Sequence, residues 1–273
     1  MPLSQLKVPC SFEVSLPPDY YPNKYPFAQY DLASMYVASK YRNVNLNDID
    51  FVFGGSTLEV LANHDASEPF LVCRIPTARA NHTLLLVRKC KDYTQNFANF
   101  GYQFERYVTT GSMHYSDSME FVEHMQVMEI GGKFKVLFCG EADAIDDGTD
   151  PIEIKASNPE YWGTKTLFQL ISLGSPTVCC GVKGRNNTLT GITMRSFSDV
   201  AADALRYRSC QGIEQNIIDG MQAMLDQMKE VENNESYKIS FKRNGELSLQ
   251  RTVTRNAMML PPADLVKDLL DFK

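Results

Sequence analysis

The sequence predicts a single α+β domain in which strands and helices share one core. Short strand-like runs at 70–75 and 83–87 follow each other at a spacing that is typical of antiparallel pairing. The stretch 213–231 carries apolar residues at helical spacing, which predicts a long amphipathic helix. A strand, a helix and a second strand between residues 151 and 181 predict a right-handed parallel crossover. Because the chain has 273 residues and no clear linker, we expect one domain, 1–273.

Composition narrows the classes of protein that fit this sequence. A hydrophobic content of 44% supports a buried core. The sequence has no run of 18 apolar residues, so we expect no membrane partner. A net charge of −6 argues against a protein that coats long nucleic acid through charge alone. Seven cysteines without C-x-x-C spacing predict reduced thiols in an intracellular protein.

The N-terminal half combines irregular, strand-like and helical segments. Residues 1–27 are rich in proline and aromatic residues and predict an extended segment, followed by a helix or an irregular element at 28–41. We expect strands in an antiparallel meander at 50–53, 58–62, 70–75 and 83–87.

Residues 92–109 predict a helix with an apolar stripe. The stripe consists of Phe97, Phe100, Phe104 and Tyr107. Glu105 lies beside this stripe and can border the core, and the alternative is a surface glutamate. Two strands are expected next, joined at Gly131-Gly132, over residues 121–130 and 133–139.

The C-terminal half begins with a helix expected at 158–171, where Pro159 fits the first turn. Lys165 and Gln169 lie one turn apart on this helix and share a face, so Gln169 is either a site residue or an exposed position. We expect the remaining elements to be strands at 177–181 and 189–197, helices at 199–207 and 213–231, and a hairpin of 237–242 with 246–253.

The stretch 138–155 holds the candidate chemistry. An apolar run that predicts a buried strand leads into Gly140-Glu141-Ala142-Asp143. The insert that follows contains Asp147-Gly148 and is typical of a turn. A second short strand then carries Glu153-Ile154-Lys155. The two strands predict a β-hairpin.

Side chains alternate along a strand, so Glu141 and Asp143 would share one face, as would Glu153 and Lys155. Pairing would bring three carboxylates and one ammonium group together, at a cost in repulsion and desolvation. A divalent cation such as Mg²⁺ or Mn²⁺ removes that cost, and a lysine beside it can stabilise charge on a phosphate. This layout fits a metal-dependent phosphodiester or pyrophosphate hydrolase. The alternative is a solvated hairpin with surface charges.

Five short motifs occur in order along the chain. They are Gly-Tyr-Gln-Phe-Glu (101–105), Gly-Glu-Ala-Asp (140–143), Glu-Ile-Lys (153–155), Lys-x3-Gln (165–169) and Gly-Val-Lys (181–183). Each is weak alone, but their order and spacing resemble the decapping and exoribonuclease (DXO) family. The link 173–178, which contains Pro176, is also similar to that family. The resemblance covers about residues 50–197 and, more loosely, the whole chain.

The resemblance implies mixed β-sheets flanked by helices, related to nucleases with a D…E-x-K core. It implies a hydrolase that acts on defective RNA 5′ ends, which carry a triphosphate, an unmethylated cap or a nucleotide cap. In many members it also implies 5′ to 3′ exoribonuclease activity. The implied cofactor is Mg²⁺ or Mn²⁺, with two ions, and the implied location is the nucleus or the cytoplasm.

The resemblance also assigns roles to individual residues. The implied metal ligands are Glu105, Glu141, Asp143, Glu153 and the backbone carbonyl of Ile154. The implied catalytic residues are Lys155, Glu153 and Asp143. The residues implied to contact RNA are Lys155 and Gln169 at the scissile phosphate and backbone, with Lys183 near the pocket.

The sequence departs from the family at two places. Gly55 stands where the family carries an arginine, and Thr166-Leu167 stand where it carries two tryptophans. A missing arginine removes a bidentate phosphate contact but no implied metal ligand. Three hypotheses follow: a metal-dependent hydrolase of RNA 5′ ends, a catalytically weakened binder of capped RNA or of a protein, and a metal nuclease that acts on DNA. The acidic balance disfavours the third.

Overall fold

Two separate β-sheets organise the chain in the computed structural model. The structure describes residues 35, 38–39, 42–89, 100–110, 123–147, 150–183, 189–206, 209–232 and 236–251. The segment predicted at 1–27, most of the element predicted at 28–41, the part of the predicted helix before residue 100, and the tail from 256 lie outside these ranges.

The described strands and helices are numbered in chain order. The strands are β1 (Phe51–Phe53), β2 (Phe70–Pro76), β3 (Thr83–Lys89), β4 (Glu123–Ile130), β5 (Phe134–Glu141), β6 (Ala144–Ile145), β7 (Pro151–Lys155), β8 (Thr177–Lys183), β9 (Leu189–Ser196), β10 (Ser236–Phe241) and β11 (Leu247–Arg251). The α-helices are α1 (Gly55–Asn63), α2 (Phe100–Thr110), α3 (Gly163–Leu173), α4 (Phe197–Ala204) and α5 (Cys210–Met228). Short 3₁₀ helices occupy Leu46–Asp48 and Pro159–Tyr161.

The larger sheet has the strand order β11-β10-β2-β3-β1-β5-β4. The predicted antiparallel pairing of β2 with β3 is confirmed, as is the hairpin of β10 with β11. The meander predicted for 50–53 is wrong, because β1 runs parallel to both β3 and β5. All three residues of β1 are buried, as is usual for a strand inside a parallel arrangement.

The strand predicted at 58–62 is also wrong, since these residues lie in α1. Gly54 precedes the helix in an extended conformation, and His64 ends it in the left-handed region at φ 48°. Leu58 and Leu61 are buried at helical spacing along α1. A short apolar run of this kind does not distinguish a buried strand from a buried helix by periodicity alone.

The smaller sheet has the strand order β6-β7-β8-β9. β7 and β8 are parallel and α3 lies between them in the chain, so the predicted parallel crossover is confirmed, and its right-handedness stays a prediction. β9 pairs antiparallel with β8.

Two buried groups cover opposite faces of the smaller sheet, because Cys179 alternates with Val178 and Cys180 along β8. The first group joins α2 to the sheet and comprises Phe104, Val108, Ala144, Ile152, Ile154 and Cys179. The second joins α3 and α4 to the sheet and comprises Trp162, Leu167, Leu170, Val178, Cys180 and Val200. Helices therefore flank this sheet on both faces.

These observations confirm a mixed α/β fold with mixed sheets flanked by helices. The described residues form two compact units that alternate along the chain. One unit holds the smaller sheet and the described residues within 100–124, 140–206 and 209, and the other holds most of the larger sheet and the described residues within 35–89, 125–139 and 210–251. The boundaries of a single domain, 1–273, stay a prediction.

Two expectations from composition can be compared with the described residues. Cys73, Cys139, Cys179 and Cys180 are buried, as expected for core cysteines, and Cys210 lies at the surface. No helix in the described part of the chain combines the length and hydropathy needed to cross a bilayer.

Candidate functional site

The Glu-Ile-Lys motif forms the second half of β7, between β6 and β8. Glu153 is buried, with 3% of its surface exposed. The Lys155 ammonium group contacts the Glu153 carboxylate directly. Alternation along β7 explains this contact, because residues 153 and 155 point to the same face of the sheet.

Asp143 joins this pair from the turn between β5 and β6. Its Oδ2 atom accepts a hydrogen bond from the Ile154 backbone N–H at 2.7 Å. Burial, together with the charges of Glu153 and Glu105, holds the pKa of Asp143 well above its usual range. Lys155 and the Ile154 N–H act in the opposite direction and do not outweigh them. The three carboxylates therefore lie close enough to repel one another.

Lys155 supplies the positive charge in this group. Burial would lower the pKa of Lys155, but the charges of Glu153, Asp143 and Glu105 outweigh burial and raise it. The ammonium group is therefore charged at neutral pH. We call Glu105, Asp143, Glu153 and Lys155 the β7 cluster.

Glu141 borders the β7 cluster as the last residue of β5. The residue is exposed at the surface, but protein atoms surround much of its carboxyl group. This burial and the charge of Glu153 both raise the pKa of Glu141. The charge of Glu153 therefore acts on Glu141 as well as on Asp143, as expected from the grouping of these three carboxylates in the sequence.

The predicted hairpin of 138–155 is wrong in its pairing. β5 pairs with β1, with Phe138 opposite Phe53, and not with β7. Only the two residues of β6 pair with the beginning of β7. Asp143 reaches the cluster because it lies in the turn just before β6, so the acids meet by a route other than strand alternation.

Glu105 is half-buried on α2, next to the buried ring of Phe104. A Cβ atom at Gly181 of β8 would lie 2.7–2.8 Å from three atoms of that ring. Real Cβ atoms do not approach so closely, so the Phe104 ring occupies a notch that only glycine provides. This contact sets the position of the helix that carries Glu105.

Gln169 and Lys183 lie on the two elements beside β7. Gln169 is half-buried on α3, and its Oε1 atom is buried without a hydrogen-bond partner among the described residues. Lys183 ends β8, where its backbone N–H donates to Asn158 Oδ1 at 3.1 Å. Their contacts with RNA stay a prediction. Lys165, one turn before Gln169, is exposed.

The donor chemistry of the β7 cluster and Glu141 fits a hard divalent cation, because the charge of Glu153 helps to raise the pKa of both Glu141 and Asp143 and a cation would relieve that repulsion. The geometry is less complete. Among the residues that the structure describes, no group of three or more histidine, cysteine, aspartate or glutamate side chains is arranged to hold a metal ion. The carboxylates therefore fit a divalent cation in donor type and charge, but their arrangement is not that of a formed metal site. The Ile154 carbonyl stays a predicted ligand.

Sequence analysis missed the network that follows β7. Trp162 Nε1 donates to Ser157 Oγ at 2.8 Å, and Cys180 Sγ donates to the Ser157 carbonyl at 3.3 Å. One signal was available, since Trp162 is the only tryptophan in the sequence. It lies seven residues after Lys155.

The unit that holds most of the larger sheet contains a hydroxyl–histidine–carboxylate arrangement. Thr77 Oγ1 lies 2.9 Å from His82 Nδ1, and His82 Nε2 lies 3.0 Å from Asp50 Oδ1. The Thr77 hydroxyl also bonds the His82 carbonyl, and Asp50 Oδ2 accepts the Lys135 N–H at 2.8 Å. These bonds tie the loop between β2 and β3 to the starts of β1 and β5, which is a structural role.

Gly55 is buried at the first position of α1. The neighbouring Gly54 has no room for a side chain, because a Cβ atom there would lie 3.0 Å from the Cys139 carbonyl. The departure from the family at residue 55 therefore occurs where the chain passes tightly from β1 into a helix.

No protein-family model matches the sequence, and no curated protein sequence matches it. Solved structures do match the fold. S. pombe Rai1 in complex with 3′-FADP aligns with a TM-score of 0.60 and 14% identity, over 82% of this chain and 78% of that one. Candida albicans Rai1 in complex with pU5-Mn²⁺ aligns with a TM-score of 0.58 and 13% identity, over 92% of this chain and 82% of that one. K. lactis Dxo1 in complex with manganese aligns with a TM-score of 0.57 and 12% identity, over 84% of this chain and 73% of that one.

The chain has the Rai1 and Dxo1 fold. The resemblance that five ordered motifs suggested is thereby confirmed at the level of architecture. Because identity to Rai1 and Dxo1 is low, the roles of individual residues depend on the geometry of the β7 cluster and not on these alignments.

Proposed function

We propose that this protein is a divalent-metal-dependent hydrolase of RNA 5′ ends. The observation that carries the proposal is the β7 cluster, in which three carboxylates surround one charged lysine. Such an arrangement is costly to fold, since the carboxylates repel each other in a partly buried site. Groups whose pKa values are shifted in this way concentrate at functional sites.

The carboxylates and the lysine have different tasks in this proposal. Glu105, Glu141, Asp143 and Glu153, with the Ile154 carbonyl, would hold the metal. A bound divalent cation would supply Lewis acidity toward water and toward a phosphate oxygen. Lys155 holds a fixed positive charge on β7 and can donate a hydrogen bond to a non-bridging phosphate oxygen. Glu153 orients Lys155 through their direct contact.

Several observations support RNA 5′ ends as the substrate. The Rai1 and Dxo1 fold is seen in complexes with pU5-Mn²⁺, with 3′-FADP and with manganese. The five motifs of the sequence are similar to a family that acts on triphosphate, unmethylated or nucleotide caps. The Oε1 atom of Gln169, which is buried and has no hydrogen-bond partner among the described residues, is an acceptor available to a ribose hydroxyl or a base N–H. An intracellular location in the nucleus or cytoplasm belongs to the same proposal.

A second candidate function is a binder of capped RNA with weakened catalysis. Gly55 favours it, because α1 begins without an arginine whose guanidinium would bind a phosphate. The arrangement of the β7 cluster also favours it, since the Lys155 ammonium group already neutralises Glu153.

Removal of divalent metal is expected to abolish 5′-end hydrolysis, because the carboxylates alone cannot activate water beside an anionic phosphate. Purified protein would be mixed with short RNAs that carry a triphosphate, an unmethylated cap, a nucleotide cap or a monophosphate. Each RNA would be incubated with Mg²⁺, with Mn²⁺ and with EDTA, and products would be separated by size and end group. Restored turnover after Mn²⁺ replaces EDTA supports the proposal.

A Glu153→Gln variant provides the matched control for contaminating nucleases, and it must show no metal-dependent release. Turnover that persists in EDTA would contradict the metal assignment. Tight binding without turnover on any RNA would favour the second candidate, and Gly55→Arg would then be the next variant.

A further inference from the structure

Two side chains hold the residue that follows the strand of the β7 cluster. Trp162 Nε1 donates to both oxygens of Ser157, at 2.8 Å to Oγ and 3.2 Å to the carbonyl. Cys180 Sγ donates to the same carbonyl at 3.3 Å. The next residue, Asn158, accepts the Lys183 N–H at 3.1 Å. The chain that leaves β7 is therefore tied to β8 and to the residue that precedes α3.

Trp162 is itself fixed in place. It is buried, with 7% of its surface exposed, in the group that joins α3 and α4 to the smaller sheet. The Arg195 guanidinium lies 5.8 Å from the centre of the indole, within the range of a cation–π contact. Arg195 is in turn paired with Asp203 at 2.6 Å. The indole N–H can therefore act as a rigid donor.

The end of β7 depends on such contacts because its sheet pairing is short. β7 pairs at two positions with β6 and at four positions with β8, and the last of these places Lys155 opposite Cys180. Ser157 lies two residues beyond that last pair. A comparable bond holds the other end of the strand, where Ser175 Oγ donates to the Pro151 carbonyl at 2.7 Å.

We propose that Trp162 is a positioning residue for the proposed hydrolysis. Its N–H holds Ser157, and Ser157 in turn holds the end of β7 that carries Glu153 and Lys155. This inference rests on the proposed function, because it assigns Trp162 to the geometry of the β7 cluster. Trp162 belongs to none of the five motifs.

The test compares two variants at this end of β7 with one at the other end. Trp162→Phe keeps an aromatic ring and removes the N–H, and Ser157→Ala removes the hydroxyl acceptor. Ser175→Ala removes a buried hydrogen bond to the opposite end of the same strand and serves as the matched control. We expect all three to lower the unfolding temperature, since each removes a hydrogen-bonding group that holds one end of β7.

The functional readouts are expected to separate the variants. Trp162→Phe and Ser157→Ala should lower kcat about tenfold with KM nearly unchanged, and should weaken Mn²⁺ binding about tenfold, because ligand positions shift. Free Mn²⁺ is measured by electron paramagnetic resonance, which does not depend on turnover. Ser175→Ala should retain kcat and Mn²⁺ affinity. Ser157→Thr, which keeps the hydroxyl, should restore both, and the Trp162→Phe/Ser157→Ala double variant should lose no more than Trp162→Phe alone.

The outcomes distinguish this inference from the function on which it rests. The positioning role alone would be overturned by the following result. The wild type hydrolyses RNA and binds Mn²⁺, and Trp162→Phe does not differ from Ser175→Ala in kcat or in Mn²⁺ affinity. A wild-type protein that neither hydrolyses RNA nor binds Mn²⁺ would overturn the proposed function, and the positioning role would fall with it.

Discussion

Asp143→Asn is expected to stabilise the metal-free protein at neutral pH while it removes most of the hydrolytic activity. The two effects have one cause, which is the crowding of Asp143 by Glu153 and Glu105. Asparagine keeps the size of the side chain and its carbonyl can still accept the Ile154 N–H. The substitution therefore removes a charge without removing that hydrogen bond.

The pH dependence of the stabilisation has a definite sign. The folded-state pKa of Asp143 is raised, whereas its pKa in the unfolded chain is about 4. Below that value the carboxyl is protonated in both states and costs nothing. As pH rises toward the raised pKa, ionisation of Asp143 stabilises the unfolded chain but not the folded protein. The free energy of unfolding of the wild type therefore falls. The advantage of Asp143→Asn should thus be absent near pH 4 and grow toward pH 8.

The gain at pH 8 follows from the raised pKa, since each unit of difference between the folded and unfolded pKa corresponds to about 1.4 kcal/mol of stability. Urea unfolding of both proteins in EDTA, at pH 4 and at pH 8, measures it. A stability difference that is equal at the two pH values would contradict the electrostatic account. A variant less stable at both would show that the carboxylate is favourable in the folded protein.

Divalent metal is expected to make the wild type more stable than Asp143→Asn, which is the reverse of the order expected in EDTA. A cation that binds the folded wild type stabilises it by mass action, and a variant without one ligand binds the cation more weakly. We expect Mn²⁺ to raise the unfolding midpoint of the wild type above that of Asp143→Asn, and kcat of the variant to fall on the order of a hundredfold. Absence of any Mn²⁺ effect on the wild type would argue against a metal site at Asp143.

The topology of the smaller sheet was predictable from the sequence because its signals are local. The helix α3 lies between two short apolar strands, and a right-handed parallel crossover is the usual solution for that order. β9 then returns beside β8 after a short connection. Each of these pairings joins neighbours in the chain.

The larger sheet was not predictable in the same way. β1 pairs in parallel with β5, so Phe53 lies opposite Phe138, and no local pattern encodes a partner that far along the chain. A buried strand of three residues also looks the same in sequence whether its neighbours are parallel or antiparallel. This pairing draws β5 into the larger sheet and is the reason that the predicted hairpin fails.

The members of the β7 cluster were predictable even though their geometry was not. Residue type identified Asp143, Glu153 and Lys155, and the order of the motifs added Glu105. The route by which Asp143 reaches Ile154 depends on a turn, and turns follow from backbone geometry more than from alternation. Trp162 stood out in the sequence only as its single tryptophan, because its hydrogen bond to Ser157 is created by the fold.

Gly181→Ala is expected to damage the site through a contact that contains no catalytic group. The added methyl group would lie 2.7–2.8 Å from three atoms of the Phe104 ring. Phe104 is 3% exposed and surrounded by the buried group beneath α2, so the ring has little room to move away. The strain must therefore shift α2, and Glu105, the next residue on that helix, moves with it.

Overpacking of this kind costs about 1–3 kcal/mol of stability. A displacement of about 1 Å at a reacting group can cost on the order of a hundredfold in rate. We expect kcat to fall by at least about tenfold, with a matching loss of Mn²⁺ affinity. RNA hydrolysis, Mn²⁺ binding and thermal unfolding measure the three effects.

Gly191→Ala is the matched control, because a Cβ atom at Gly191 on the adjacent strand β9 meets nothing within 4 Å. It should leave kcat and stability close to those of the wild type. Phe104→Leu in the Gly181→Ala background should recover part of the lost activity, since the smaller side chain makes room for the methyl group. If Gly181→Ala kept wild-type kcat, the notch at Gly181 would be a packing feature without influence on Glu105. If instead the activity lost in Gly181→Ala returned only when Phe104 was made smaller, the contact between Gly181 and Phe104 would be what positions Glu105.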